Sequence, residues 1–192
     1  MTTKELKKIL HNHNLWLKED GGECANLRGV DLEGADLEGA NLEGANLRHA
    51  YLEGTNLQGA NLQGADLRYA YLRHVYLRDA NLQDADLRDA NLRHTYLQGA
   101  DLRWANLQGA NLQDANLQDA ELPSGYAFYS AIPWCVTIAP DRVLIGCQSH
   151  SLETWQNFSN EKIAKMHPRA LEWWNEHKEK IIELAIKVKE EK

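Results

Sequence analysis

The sequence predicts an all-β solenoid over residues 24–122, because three features repeat there with a period of five. Leucine stands at every fifth position from Leu27 to Leu122. Two positions before each leucine is a small residue, usually alanine, and directly before it is usually asparagine or aspartate. A period of five would spread the leucines around the whole surface of a helix, and in a flat strand it would place them on alternate faces. Each five-residue unit must therefore contain a turn.

The same unit predicts which side chains point inward. Residues two apart in an extended segment share one side, so the small residue and the leucine face the interior together. Most units have an Asn or Asp directly before the leucine and a Gly or Asp two positions after it. Both residue types favour a tight bend. If each bend turns the chain by about a quarter, four units close one coil, and stacked coils satisfy each other's backbone groups. The units from Leu27 to Leu122 then make about five coils.

These units resemble the A(D/N)LXX motif of the pentapeptide-repeat family from Ala25 to Leu122. The resemblance implies a right-handed quadrilateral β-helix. The segment ahead of the array, with His13, Trp16 and Leu17, resembles the short capping helix of phage and bacterial members. The stretch from Ile145 to His167 is similar to a tail module of phage-encoded members, which implies a phage-derived origin.

Residues 1–23 are predicted to form that capping helix, with Thr3 as its N-cap. An open coil end presents unpaired backbone groups that promote aggregation, so a cover is needed. The apolar residues available for it are Leu6, Ile9, Leu10, Leu15, Trp16 and Leu17.

Residues 123–192 are predicted to form a small α+β module, because the repeat stops at Leu122-Pro123 and the composition changes. Within it, Trp134–Ile138 and Arg142–Ile145 flank Ala139-Pro140-Asp141, which predicts a hairpin.

Two helices are predicted after the hairpin. Ser151 suits the cap of a short helix through Trp155, and Pro168 suits the first position of a longer helix ending near Lys189. The resemblance implies dimerisation through the C-terminal end in many members. With Trp173 and Trp174 supplying apolar surface, we expect a homodimer through this module.

The charge of the array is acidic but uneven. Its fifteen acidic residues and eight arginines account for the net charge of −7 of the whole chain. A duplex DNA segment as long as about five coils would carry roughly fourteen negative charges, so the net charge of the array is about half that of DNA. Some members of the family mimic DNA and bind type II topoisomerases, so a DNA-mimic inhibitor or protector remains the alternative function. The acidic early coils disfavour long nucleic acid as a partner. The carboxylates of these coils are Asp31, Glu33, Asp36, Glu38, Glu43 and Glu53. The later coils carry the arginines Arg68, Arg73, Arg78, Arg88, Arg93 and Arg103.

A candidate binding surface comes from coupled substitutions. Tyrosine replaces Asn or Asp in four units, and the residue two positions before each tyrosine is His or Tyr. One interpretation is local packing at the corner, in which the bulky residue contacts the following tyrosine in place of the lost turn bond. The other is ligand binding, in which rings stack on a ligand and arginines hold phosphate or carboxylate. The candidate residues are Arg73, His74, Tyr76, Arg78, Arg93, His94 and Tyr96.

A second candidate site lies in the C-terminal module, at Cys147, His150, Trp155 and His167. Cys-x-x-His can supply two zinc ligands, but no second close-spaced pair accompanies it, so no metal is predicted. A packed module with a buried cysteine and a hydrogen-bonded histidine is the preferred interpretation.

No phosphate loop and no Ser/His/Asp arrangement with recognisable spacing is present, so we predict neither an enzyme nor a cofactor. Three cysteines, the absence of a signal peptide and the absence of a long apolar run predict a cytoplasmic protein without a membrane segment. The leading hypothesis is a non-enzymatic, phage-derived binding protein. It would sequester a small anionic, nucleotide-like ligand or inhibit a host protein.

Overall fold

A computed structural model describes residues 1–131 and 133–190, and at 130 and 131 the backbone only. The chain divides into two compact units, Met1–Pro123 and Ser124–Lys192, which are described separately below. Residues 132, 191 and 192 of the predicted C-terminal module lie outside the described residues. No helix in the described part of the chain is long and apolar enough to cross a membrane.

The first unit begins with helix α1, Thr3–Leu17. Its N-cap is Thr2, so the prediction of Thr3 was wrong by one residue. The reason is a capping box, since Glu5 stands three residues after Thr2. The Thr2 hydroxyl accepts a hydrogen bond from the Glu5 N–H at 3.3 Å, and the Glu5 carboxylate accepts one from the Thr2 N–H at 2.8 Å.

The helix ends at Leu17, well before residue 23, because the chain turns at Glu19, with φ of 58°, and the Asp20 N–H donates back to the Leu15 carbonyl at 3.0 Å. Gly21 and Gly22 continue the turn with φ of 90° and 77°. A Cβ on Gly22 would also collide with the Asn12 carbonyl, so only glycine fits there. Of the apolar residues predicted to cover the solenoid, Leu6 is buried and Trp16 is exposed. The others are half-buried: Ile9, Leu10, Leu15 and Leu17.

His13 ties α1 to the start of the solenoid. Its imidazole is fully buried, and Nδ1 accepts a hydrogen bond from the Ala25 N–H at 3.2 Å. The Trp16 ring stacks on it with centroids 5.7 Å apart. Burial lowers the pKa of His13, although the nearby Glu43 carboxylate acts in the opposite direction. The neutral imidazole is therefore the form that the fold stabilises.

We expect wild-type stability to fall as the pH drops below about 6.5, the ordinary pKa of histidine, because the unfolded chain then binds a proton that folded His13 resists. The change in melting temperature between pH 7.5 and pH 5.5 measures this. His13→Gln should reduce that change, whereas His11→Gln, at an exposed position of the same helix, should leave it as in wild type. Equal pH dependence in the two variants would contradict the role of His13.

The solenoid follows, and its backbone pairs with itself every twenty residues. Parallel bridges join each unit to the unit twenty residues later, from Asn26↔Asn46 to Asp101↔Glu121. In the first, the Leu27 N–H donates to the Asn46 carbonyl at 2.7 Å, and the Asn46 N–H donates to the Ala25 carbonyl at 2.9 Å. One coil therefore contains four five-residue units, as the repeat predicts.

Each unit closes with a turn after its leucine. In a representative unit the Ala35 N–H donates to the Leu32 carbonyl at 2.9 Å, and Gly34 between them has φ of 63°. Every Asn or Asp before a leucine, from Asn26 to Asn116, accepts a hydrogen bond from the N–H two residues later. The leucines from Leu27 to Leu117 are buried, and Leu122 is half-buried.

The second unit is a four-stranded antiparallel sheet with three helices. The elements are β1 Ala127–Ala131, β2 Trp134–Ile138, β3 Val143–Ile145, β4 Gln148–His150, α2 Leu152–Asn157, α3 Asn160–Met166 and α4 Ala170–Glu190. The strands pair in the order β1-β2-β3-β4, and the predicted hairpin is the β2–β3 pair. Ser151 caps α2 as predicted, whereas α3, capped by Ser159, was not predicted. The prediction of Pro168 as the first position of the last helix was wrong by two residues, because the Trp173 N–H donates to the Arg169 carbonyl at 3.2 Å and α4 therefore begins at Ala170.

Trp173 and Trp174 on α4 belong to the core of this second unit. Each is only 6% exposed, and they pack with Val136 and Trp155 among others. The expectation that these two rings supply free apolar surface for a dimer was therefore wrong. The small sheet needs a large apolar cover, and adjacent positions on α4 provide it.

Candidate functional site

The coupled His and Tyr substitutions form two-ring stacks between successive coils. His74 lies over His94 with centroids 5.0 Å apart and planes 6° apart, and Tyr76 lies over Tyr96 at 5.0 Å and 5°. A neighbouring pair of stacks joins His49 to Tyr69 at 5.0 Å and Tyr51 to Tyr71 at 4.8 Å. These four ring contacts join residues twenty apart, so each ring stacks on a ring of the next coil and not on the tyrosine that follows it in sequence.

The histidines stand at the turn position that requires positive φ, where most units carry Gly or Asp. His74 has φ of 57° and His94 has φ of 56°. Left-handed backbone disfavours a large side chain, although histidine tolerates it better than most. The stacked rings and the regular bridges on both sides hold these residues in place.

Two kinds of arginine occupy the position after the leucine. Where the unit reads Asp-Leu-Arg, the guanidinium folds back onto its own aspartate with two hydrogen bonds. Arg68 donates to Asp66 at 2.8 and 2.6 Å, and Arg88 donates to Asp86 at 2.9 and 2.6 Å. Arg103 does the same with Asp101. These three charges are neutralised within the repeat.

This pairing shifts the pKa values of the carboxyl and guanidinium groups that take part in it. A hydrogen bond from Arg68 lowers the pKa of the Asp66 carboxyl, and one from Arg88 lowers that of Asp86. The same bond raises the pKa of Arg68. The second oxygen of Asp86 also lies 3.4 Å from Arg68 Nε, so neighbouring coils share carboxylates along this column.

Where the unit reads Tyr-Leu-Arg or Asn-Leu-Arg, no carboxylate stands two residues before the arginine. Arg73 reaches only Glu53, at 3.8 Å, and within the described residues Arg78 and Arg93 form no ion pair. The buried Nε atoms of Arg73 and Arg93 also lack a hydrogen-bond partner there. Arg78 lies over the Tyr96 ring, 5.8 Å from its centroid. Unsatisfied guanidinium groups thus lie beside the stacked rings.

All seven predicted residues lie on one corner and the face that follows it, and we call this set the His/Tyr/Arg surface: Arg73, His74, Tyr76, Arg78, Arg93, His94 and Tyr96. Tyr76 is 44% exposed, and His74 and Arg78 are exposed as well. At one edge His94 Nδ1 lies 3.9 Å from an Asp114 oxygen. Tyr51 and Tyr71 carry the same coupled substitution but were not among the seven candidate residues, and they form the stack on the preceding face. The sequence signal for both residues is a tyrosine in place of Asn or Asp directly before the leucine of the unit.

The second candidate site is only partly brought together. Cys147, Trp155 and His167 line one pocket, whereas His150 does not. His150 instead hydrogen-bonds Gln148 at 3.2 Å and packs edge-on against Trp155. Cys147 is exposed, which corrects the expectation of a buried cysteine. It directly follows the turn at Gly146, where the chain leaves the buried strand β3. In the described part of the chain no group of three or more His, Cys, Asp or Glu side chains could hold a metal ion.

The four tryptophans of the pocket come from three elements that are far apart in sequence. Trp134 comes from β2, Trp155 from α2, and Trp173 and Trp174 come from α4. The Trp134 and Trp173 rings meet edge to face at 5.3 Å, and the Trp155 and Trp174 rings lie 5.4 Å apart. Sequence reasoning missed Trp134 and Trp173 as pocket residues. No local pattern marks them, because only the packing of the module joins them.

A family model of pentapeptide repeats matches residues 25–64, 55–93 and 85–122, which together span about half of the chain. The chain belongs to the pentapeptide-repeat family. The predicted family is thereby confirmed, and with it the right-handed quadrilateral β-helix in which such repeats fold. Pentapeptide-repeat proteins are generally structural or binding proteins.

Solved structures of other pentapeptide-repeat proteins resemble the repeat array. One is Rfr23 from the cyanobacterium Cyanothece 51142, with 32% identity over 54% of this chain and 67% of that chain and a TM-score of 0.47. HetL from Nostoc sp. strain PCC 7120 has 36% identity over 54% and 59%, with a TM-score of 0.22. Full-length QnrB1, a plasmid-mediated fluoroquinolone resistance protein, has 19% identity over 55% and 63%, with a TM-score of 0.34. No curated protein sequence matches the chain.

Proposed function

We propose that this pentapeptide-repeat protein is a non-enzymatic binding protein and that its His/Tyr/Arg surface binds a small anionic ligand with a planar ring. The observation that carries the proposal is the contrast between its two kinds of arginine. Arg68 and Arg88 are neutralised by their own aspartates, whereas Arg73 and Arg93 lie beside stacked rings without such a partner. Arg48, whose Nε also lacks a partner among the described residues, lies 5.6 Å from the centroid of the Tyr69 ring, so unsatisfied guanidinium groups lie beside both sets of stacked rings.

Charge supports an anionic ligand at this place. Arg73, Arg78 and Arg93 put three positive charges on one surface of an otherwise acidic array. Guanidinium groups bind phosphate and carboxylate through paired N–H donors, and these bonds are stronger than neutral ones. The acidic early coils repel a long polyanion, so a small ligand fits better than a nucleic acid strand.

The rings support a ligand that is planar as well as anionic. A two-ring stack such as Tyr76–Tyr96 leaves one face of each ring uncovered by another ring. A base or similar ring can stack on such a face, and this type of contact is worth about 1–3 kcal/mol per base. A nucleotide combines such a ring with phosphate, which is the chemistry of this surface.

The test is the thermal shift of the full-length protein with a panel of mono-, di- and cyclic nucleotides. A ligand at about a hundred times its Kd stabilises the folded protein by roughly 2.7 kcal/mol. We expect at least one nucleotide to raise the melting temperature. We expect the double variant Arg73→Ala, Arg93→Ala to lose that increase, because it removes the free donors.

The matched control is the double variant Arg68→Ala, Arg88→Ala. It also removes two arginines that stand twenty residues apart, but both are paired with aspartate. Measured from its own ligand-free melting temperature, the control should keep the nucleotide shift. If both double variants lose it equally, the effect is one of net charge and the specific site is wrong.

Other outcomes of the panel identify the other functions. If no nucleotide stabilises the protein, inhibition of a host protein becomes the better account. If the protein instead inhibits gyrase supercoiling, and if replacement of Glu33, Glu38 and Glu53 by Gln abolishes this inhibition, the DNA-mimic function is correct.

The phage-derived origin stays a prediction. Homodimerisation through the C-terminal module also stays a prediction. Among the described residues of that module, Ile186 on α4 is a large apolar residue that is 46% exposed.

A further inference from the structure

The pocket of the C-terminal unit, lined in part by Cys147, Trp155 and His167, has ligand-binding chemistry of its own. It has a volume of about 100 Å³ and is lined by the indoles of Trp134, Trp155, Trp173 and Trp174, with Ile163 and Met166. None of its described lining residues is Asp, Glu, Lys or Arg. The lining is therefore mainly aromatic and apolar, with Cys147, Gln148 and His167 as its other polar side chains, and it differs in chemistry from the His/Tyr/Arg surface of the solenoid.

One polar group in this lining has no partner. The Trp173 side chain is more than nine-tenths buried, and its indole N–H finds no acceptor among the described residues. The Trp155 indole N–H, in contrast, donates to the Val143 carbonyl at 2.9 Å. A buried donor without an acceptor is costly, and buried indole N–H groups usually have one. An acceptor supplied by a ligand would remove that cost.

The shape and lining limit the ligand to roughly one ring. An apolar cavity of about 150 Å³ is known to hold benzene, so about 100 Å³ with an open side suits a single ring that partly protrudes. Indoles arranged edge to face, as Trp134 and Trp173 are, favour a further aromatic ring at about 5 Å. A bare cation would find no carboxylate here, and it could not accept the Trp173 hydrogen bond.

We propose that this pocket binds a small uncharged aromatic compound whose carbonyl oxygen accepts the hydrogen bond of Trp173 Nε1. The site is independent of the nucleotide-like ligand proposed above. It assigns to the C-terminal module a binding role in addition to any part in assembly.

The experiment compares two probes of nearly the same shape on the ¹⁵N-labelled full-length protein. Acetophenone carries the carbonyl oxygen, and α-methylstyrene replaces that oxygen with a CH₂ group. Both should bind, because the ring provides most of the apolar contact. Acetophenone should move one indole N–H resonance downfield, and this resonance should be the one that disappears in Trp173→Phe. α-Methylstyrene should not move it downfield.

Two variants test the residues. Trp173→Phe keeps a ring but removes the N–H, so it should weaken acetophenone binding by roughly fivefold, as expected for one hydrogen bond, and leave α-methylstyrene binding within about twofold. Ala170→Leu, at the first residue of α4 and in the pocket lining, should fill the space and prevent binding of both probes. If Trp173→Phe fails to fold, the wild-type resonance shift and Ala170→Leu still decide the question.

Three results would overturn the assignment. The first is that neither probe binds at millimolar concentration, which would leave the pocket for an apolar side chain of a partner protein. The second is that both probes bind equally and no indole N–H responds to acetophenone. The third is that Ala170→Leu binds both probes as wild type does, which places binding elsewhere.

Discussion

Leu72→Asp is expected to abolish the cooperative unfolding transition of the solenoid. Leu72 is 1% exposed and lies in the middle of a continuous row of buried leucines. An ionised carboxylate at this position would have no cation or donor in the leucine core, and burying even a neutral polar group without a partner costs several kcal/mol. Single changes above about 4 kcal/mol are exceptional and belong to this class of mechanism. Circular dichroism during urea and thermal unfolding measures the effect.

Gly64→Asp is the matched control, because it adds the same charge at a nearby turn. Nothing lies within 4 Å of a Cβ added to Gly64, and the equivalent position in the next coil is already Asp84, with φ of 57°. The control should lose no more than about 1 kcal/mol, the ordinary cost of a side chain at positive φ. A Leu72→Asp protein that unfolds cooperatively with the wild-type midpoint would refute the leucine core.

Trp155→Ala should unfold the C-terminal unit and leave residues 1–123 folded. Trp155 is 3% exposed, lies in the centre of the aromatic core and donates its N–H to the buried Val143. Truncation of a buried tryptophan costs about 3–5 kcal/mol, and here it also leaves a carbonyl without its donor. A unit of this size has little stability to lose. Limited proteolysis with mass spectrometry should show cleavage confined to 124–192.

Trp104→Ala provides the control for that truncation. Trp104 is 67% exposed at a turn of the solenoid, with Arg103 5.5 Å from its ring centroid. Its removal should change stability by no more than about 0.5 kcal/mol and should leave the proteolysis pattern unchanged. If Trp155→Ala were as resistant to protease as this control, the aromatic core would not be what holds the second unit together.

The difference between arginines that pair with their own aspartate and arginines that do not could have been predicted from the sequence. Asp-Leu-Arg brings the carboxylate and the guanidinium to the same face two residues apart, whereas Tyr-Leu-Arg and Asn-Leu-Arg do not. Arg68, Arg88 and Arg103 follow the first pattern and are paired; Arg73, Arg78 and Arg93 follow the others. This is a local rule, because the unit geometry is the same at each repeat.

Sequence alone determined the solenoid, its buried leucines and the corner that carries the substituted rings. Each of these depends on contacts within one unit or on a strict period, so a five-residue pattern repeated without a break is enough information. It also located the β2–β3 hairpin and the Ser151 cap, whose signals are local.

Tertiary structure alone decided which tryptophans are hidden and how closely the stacked rings approach each other. Tyr76 stacks on Tyr96 because the bridges set neighbouring coils at a ring-stacking distance. Trp173 and Trp174 are core residues because a small sheet packs on α4, and the pocket brings together residues of the sheet and of all three helices of the second unit. The tryptophan contacts join residues far apart in the chain without periodicity, so their formation depends on the packing of whole elements, which no local pattern encodes.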